Sequence, residues 1–212
     1  MHNIIVTLPD NSVKEVPKGT NSQEIASMIG ERLSNSVVVS KINGVLSDLN
    51  KPINEDCTLE LLTGQSPEGH ETLLHSTAHL MAQAVKELFP DAKISIGPTI
   101  EKGFYYDFEL EDFISENDLR VIEKKMMELA RSNQEIIRKE VSAKQALKIF
   151  KDKKENYKLE IINQINPEDI ISLYTQTNFT DLCRGPHVSN TSKIKYFKLL
   201  STSGAYWRGD EK

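Results

Sequence analysis

Four side chains able to bind a metal or move a proton stand in two short stretches of this sequence. "LHSTAHL" at residues 74–80 sets His75 and His79 four apart in an apolar run. On a helix that spacing stacks both imidazoles on one face. "DLCRGPHVS" sets Cys183 and His187 four apart beside Gly185 and Pro186, with Asp181 just ahead of them. Two histidines from a helix with a cysteine and a histidine from a loop are zinc-ligand types. A zinc metalloprotease would want H-E-x-x-H, its glutamate acting as general base. Serine stands at position 76 instead, which weighs strongly against that chemistry. Two others stay open. One is a structural zinc clasp using all four side chains. The other is a hydrolytic pocket in which imidazoles, the thiol, Asp181 and Lys158 hold water against an ester. Histidine titrates near neutral pH, so it can take a proton from water and release it again. Cys183 as a covalent nucleophile would need a lowered thiol pKa, which Arg184 or a neighbouring histidine could supply. Gly97-Pro98 and "GFYYDF" at 103–108 are candidates for lining the same cavity. Tyr105 and Tyr106, adjacent on a strand, must face opposite ways, so only one of them lines it.

The elements that must position these groups are readable from pattern. Residues 71–89 form a helix with Leu74, Ala78, Met81, Ala82, Val85 and Phe89 along one stripe, ended by Pro90. "ISIGP" and "FYYDFEL" are paired strands joined through Glu101-Lys102-Gly103. Ser115 and Asp118 start a second helix carrying Leu119, Ile122, Met126 and Leu129. "EIIRKEV" is a strand and "SAKQALKIF" a short helix, while "YKLEIIN", "IISLYTQ" and "YFKLLS" are expected as further strands. Helices and antiparallel strands mix without a β-α-β repeat, which makes this part an α+β domain. Ahead of it, residues 1–62 form a small unit. "NIIVTLP" and "VKEV" are strands, and "GTNSQEIASMIGERL" is a helix with Thr20 and Gln23 at capping-box spacing and Ile25, Met28, Ile29 and Leu33 on one face. "VVVSKINGVLSDL" turns at Asn43-Gly44 as a tight hairpin, and "CTLELLT" closes the set. That order is the order of a β-grasp module. "GQSPEG" within residues 63–70 is expected to be a linker.

Composition narrows the class. With 38% hydrophobic and 27% charged residues, the 212-residue chain suits a water-exposed globular protein of one large or two ordinary domains. No run approaches the roughly 20 apolar residues of a bilayer span, and the N-terminus lacks a signal-peptide pattern. Two cysteines make no disulfide framework, so a reducing cytoplasm is expected. A net charge of −5 argues against a general nucleic-acid binder but leaves room for one that handles a single defined end.

The motifs together carry a family resemblance. "KINGVLSDLN" and "TLELLT" resemble a TGS module, and "HSTAHLMAQAV", "IGPTIEKGFYYDF", "DLCRGPHV" and "GAYWRGD" resemble the second additional domain of bacterial-type threonyl-tRNA synthetases. The resemblance implies a β-grasp TGS domain over residues 1–62 and an editing domain over 71–212, with the aminoacylation core and anticodon-binding domains outside this sequence. It implies hydrolysis of the seryl ester of mischarged tRNA(Thr), with the tRNA 3′ end as partner, no membrane, a monomeric fragment and a homodimeric whole enzyme. His75, His79, Lys158, Asp181, Cys183 and His187 are then the catalytic set, and Gly97, Tyr105, Asp181 and Arg184 contact the substrate. The set H-x-x-x-H with C-x-x-x-H is shared with alanyl-tRNA editing domains, where it can hold zinc. The threonyl family's pocket is thought to work without metal, so no cofactor is expected for editing. ATP, magnesium and the aminoacylation-site zinc would belong to the core. A zinc-clasped, non-catalytic RNA- or protein-binding fragment is the alternative.

Overall fold

The computed structural model describes residues 2–111 and 113–204. The first unit is a five-stranded sheet. Strands β1 (Asn3–Thr7) and β2 (Val13–Pro17) form a hairpin; helices α1 (Ser22–Ile29) and α2 (Glu31–Ser36) follow. Then come β3 (Val37–Ile42), β4 (Val45–Ser47) and β5 (Cys57–Thr63). The order is β2-β1-β5-β3-β4, with β1 and β5 parallel at the centre. Alternation decides which face is covered: Ile4 and Val6 are buried against Ile25 of α1, while Ile5 between them is exposed. Asn43 and Gly44 both have positive φ, the twist a two-residue hairpin needs. The helix differs from expectation at both ends. Asn21, not Thr20, is the N-cap, and its capping-box partner is Glu24. Extended backbone at Gly30 splits the segment into two helices and leaves Met28 and Ile29 in solvent.

The second unit is built on α3 (Pro67–Leu88). This helix starts four residues earlier than its apolar stripe suggests, because Ser66 caps it by accepting the Gly69 N–H, and Pro67 suits its first turn. "GQSPEG" is therefore the joint of a helix, not a free linker. Ser66 N–H and Oγ both donate to the Thr63 carbonyl at the end of β5. After α3 come the short strands β6 (Lys93–Ile94), β7 (Thr99–Ile100), β8 (Gly103–Phe104) and β9 (Phe108–Glu109), paired β6–β9 and β7–β8. This is the expected hairpin, interrupted in the middle. Helix α4 (Glu116–Arg131) begins with the Ser115–Asp118 capping box. Strand β10 (Ile137–Ser142), helices α5 (Ala143–Asp152) and α6 (Asn156–Ile162), and strands β11 (Ile170–Gln176) and β12 (Phe179–Leu182) complete the unit. The three strands form an antiparallel sheet in chain order.

Two expected strands are absent among the described residues. "YKLEIIN" is α6. Its apolar–polar alternation fits a strand, but Leu159 and Ile162, three apart, pack with Phe150 of α5, and that tertiary burial overrides the local pattern. "YFKLLS" is irregular, with Tyr196 and Leu200 almost fully exposed. The "GAYWRGD" motif beyond Gly204 lies outside the described residues.

The two units share one core. Leu80, Ala84 and Val85 of α3 meet Ile122, Met126 and Leu129 of α4, Val38 and Val39 of β3, and Tyr174 of β11. Helix α3 thus buries several faces at once, and polar residues on it, including Ser76, Thr77, His79 and Gln83, are also buried.

Candidate active site

Helix α3 supplies His75, Ser76 and His79, and the segment after β12 supplies Cys183 and His187. The ligand atoms of His75, His79, Cys183 and His187 all lie within 4.8 Å of one another. Cys183 Sγ is 3.2 Å from His75 Nε2 and 3.2 Å from His187 Nε2. The His79 and His187 rings are 4.2 Å apart and those of His75 and His187 4.4 Å apart. His79 and His187 are buried, and His75 only partly.

Ser76, which pattern alone did not single out, joins the cluster. Its Oγ accepts the Val188 N–H at 3.1 Å and lies 3.0 Å from His187 Nδ1. One proton assignment satisfies every partner. The Ser76 hydroxyl donates to His187 Nδ1, and His187 Nε2–H donates to Cys183 Sγ. That sulfur also accepts the Gly185 N–H at 3.3 Å, and its own S–H turns to His75 Nε2.

Beside the imidazoles lies a buried charged group. Lys158 Nζ, from α6, is 2.5 Å from Asp181 Oδ1. The Tyr106 hydroxyl donates to Asp181 Oδ2 at 2.6 Å and accepts from Lys158 Nζ at 3.1 Å. The Leu182 N–H donates to Asp181 Oδ1 at 2.7 Å. His79 Nδ1 stands 3.6 Å from Asp181 Oδ2, too far for a hydrogen bond. Asp181 therefore spends both oxygens on the protein and anchors Lys158 and Tyr106.

Burial sets the protonation of the cluster. Desolvation holds the imidazoles of His79 and His187 well below the ordinary histidine range, with neighbouring histidines adding to the effect at both and Lys158 at His79. His75 is lowered for the same first reason, against an opposing pull from Asp181. Burial likewise pushes the Cys183 thiol up to about 12, and the Tyr106 phenol well above its usual value. The consequence at neutral pH is three uncharged imidazoles next to an uncharged thiol. The feature that would make Cys183 a ready nucleophile is thus reversed, and Arg184 points into solvent.

The tyrosine pair resolves against expectation. Tyr105 is 43% exposed, whereas Tyr106 is buried in the charged group. The hairpin is interrupted here, and Tyr106 stacks on Phe108 at 5.0 Å. Gly97 lies against the Tyr106 ring: a Cβ at that position would fall 2.1 Å from the ring edge. So Gly97 stands behind Tyr106.

The four ligand types suit zinc, which such sites hold four-coordinate at about 2.0–2.3 Å. Those bonds imply ligand separations of about 3.3–3.8 Å. The Cys183 contacts are near that range, and the widest separation, 4.8 Å, would have to contract.

Comparison with known proteins finds two domain matches and a set of relatives. A TGS domain model matches residues 4–63, and the model of the "Threonyl and Alanyl tRNA synthetase second additional domain" matches residues 171–212. Each match is local and spans less than half of the chain. Over 212 residues it is 50% identical to a threonine–tRNA ligase of Citrifermentans bemidjiense, covering all of this chain and 33% of that protein. Over 210 residues it is 50% identical to the Staphylococcus epidermidis enzyme and 49% identical to that of Parabacteroides distasonis, covering 99% of this chain and 32% of each relative. The region matched is their N-terminal one, and the chain spans about a third of their length. Asp181, Cys183, Arg184 and His187 fall inside the segment matching the second additional domain. His75, His79, Gly97, Tyr106 and Lys158 lie before that segment and reach the same cluster through the fold.

Among the described residues, no helix is long and apolar enough to cross a membrane.

Proposed function

We propose that this chain edits mischarged tRNA, hydrolysing the seryl ester of tRNA(Thr) in the cytoplasm as part of a threonine–tRNA ligase. The observation that carries the reading is the cluster of neutral imidazoles beside the Lys158–Asp181–Tyr106 group, in a domain resembling the second additional domain of threonyl and alanyl tRNA synthetases. Ester hydrolysis needs a base that is unprotonated at neutral pH and can accept a proton from water. His75 meets that need, being lowered in pKa and the least buried of the three imidazoles. A water displaces the Cys183 S–H from His75 Nε2 and attacks the ester carbonyl. The imidazole takes the water's proton at Nε2 and passes it to the departing ribose oxygen as the ester bond breaks. Lys158 supplies fixed positive charge near the oxygen on which negative charge grows. Asp181 and Tyr106 hold that ammonium in place.

Chemistry also supplies the reason for such a pocket. Threonine and serine differ by one methyl, and a difference of that size typically yields only about 10–200-fold discrimination. A second pocket that admits the seryl ester and excludes the extra methyl raises fidelity without ATP.

The deciding experiment is release of serine from seryl-tRNA(Thr) by the 212-residue chain, with threonyl-tRNA(Thr) beside it. Serine-selective release that is lost in His75→Ala and survives chelation is expected. Equal release from both esters, or full activity in His75→Ala, would refute the reading.

The ligand set supports a second reading, a closed zinc clasp formed by His75, His79, Cys183 and His187. Zinc bound by all four would contribute folding energy. Stoichiometric zinc whose removal unfolds the chain would establish the clasp.

A further inference from the structure

The TGS domain reaches into the editing cluster through one side chain. Asp48 follows β4, and its carboxylate is 17% exposed. Its Oδ1 accepts the backbone N–H of His187 at 2.8 Å, across 139 residues of chain. Its Oδ2 accepts the hydroxyl of Tyr174 at 2.8 Å. The Tyr174 ring in turn packs edge-on to the His187 ring, with centroids 4.5 Å apart. Tyr174 also bounds the loop from the other side, since a Cβ on Gly185 would fall 1.9 Å from its hydroxyl oxygen. Arg138 of β10 stands over the same carboxylate, with Nε 3.9 Å from Oδ2.

We infer that Asp48 is a positioning residue for the editing reaction, by which the TGS domain fixes both the backbone and the ring of His187. This rests on the editing reading of the cluster. A surface contact between domains would need no more than one such bond at the rim. Here the two carboxylate oxygens are divided between the main chain of His187 and the aromatic ring beside that imidazole. Charge-assisted bonds of this kind are shorter and stronger than neutral ones and fix direction as well as distance. His187 lies in the Ser76–His187–Cys183–His75 chain of contacts, so a shift of its ring moves the whole chain. Asp48 touches none of the reacting atoms. Its effect is on how often the imidazoles stand in the productive arrangement, and misplacement of a catalytic group by about 1 Å can cost 100-fold.

The test compares wild type, Asp48→Ala, Asp48→Asn and Tyr174→Phe in the 212-residue chain. Two readouts are used: the rate of serine release from seryl-tRNA(Thr), and the nitrogen and carbon resonances of the His187 ring. Asp48→Ala is expected to lower kcat by about 10- to 100-fold with KM within twofold of wild type, and to shift the His187 resonances. Asp48→Asn keeps an acceptor for the His187 N–H and should recover most of the loss. Tyr174→Phe removes one bond only and should fall between, which keeps the proposal testable if Asp48→Ala does not fold. Unshifted His187 resonances in Asp48→Ala and Tyr174→Phe would overturn the inference, as would wild-type kcat in both. If wild type releases no serine while the His187 resonances still move, the editing reading fails, and what stands is the hold of Asp48 on His187 and Tyr174.

Discussion

Replacing Lys158 by methionine tests whether the charged group beside the imidazoles is one unit. Lys158 and Asp181 side chains are only 3% and 1% exposed, and their charged atoms are 2.5 Å apart. Breaking a buried pair by removing one partner costs about 3–5 kcal/mol, because the other charge is left in low dielectric. Two donors would still reach Asp181, the Tyr106 hydroxyl and the Leu182 N–H. They place the expected loss at the lower end, about 3 kcal/mol. In a chain of this length each kcal/mol moves Tm by roughly 2–4 °C, so Lys158→Met should melt about 6–12 °C below wild type. Adding Asp181→Asn removes the stranded charge, and the double variant should be destabilised by less than the sum of the two single changes. Thermal denaturation of all four proteins by circular dichroism at neutral pH closes the cycle. A drop under about 2 °C for Lys158→Met, or strict additivity in the cycle, would refute the view that a buried ion pair holds this side of the site.

Three further outcomes follow from burial and shape. His79 and His187 have folded pKa values well below the ordinary 6.5, so the unfolded chain binds their protons first. The stability they contribute is full above about pH 6.5 and declines as pH falls from there towards their folded values. Urea denaturation of the metal-free chain at pH 7 and pH 5 should show it, and equal midpoints would contradict the shifts. Cys183, with its thiol raised to about 12, should react with iodoacetamide far more slowly at pH 8 than the same thiol in urea. Comparable rates would mean an accessible thiolate. Gly97→Ala drives a Cβ into the Tyr106 ring, and overpacking of this kind costs about 1–3 kcal/mol. Its Tm should fall and its serine release should drop with it, whereas an unchanged Tm would show that the ring can step aside.

Much of the architecture was legible from local pattern. The Asn43-Gly44 hairpin, the Ser115 capping box and the 3.6-residue stripe of α3 each state their own geometry in a few residues. The meeting of His75 and His79 with Cys183 and His187 was legible as residue chemistry before it was visible as distance. What escaped depends on contacts distant in sequence. Lys158 sits on a helix because Leu159 and Ile162 find Phe150, and nothing in "YKLEIIN" announces that partner. Tyr106 rather than Tyr105 turns inward because Gly97 leaves room for its ring and Asp181 takes its hydroxyl. The missing side chain at Gly97 was the available signal. Ser76 had no signal beyond replacing the expected glutamate, and its partner His187 is 111 residues away.

The joint between β5 and α3 has a mechanical meaning. Ser66 ties the helix cap to the last carbonyl of the five-stranded sheet, leaving no slack between them. From Pro67 to His75 the helix runs eight residues, a lever arm of roughly 12 Å. A tilt of the sheet by about 5° would therefore swing the imidazoles by roughly 1 Å at the far end of that arm. Phase is equally constrained. One residue inserted in the first two turns would rotate His75 and His79 by about 100° around the helix axis, away from Cys183. Length variation is tolerable on the sheet side of Ser66 only if the cap survives, and between Ser66 and His75 it is not tolerable at all.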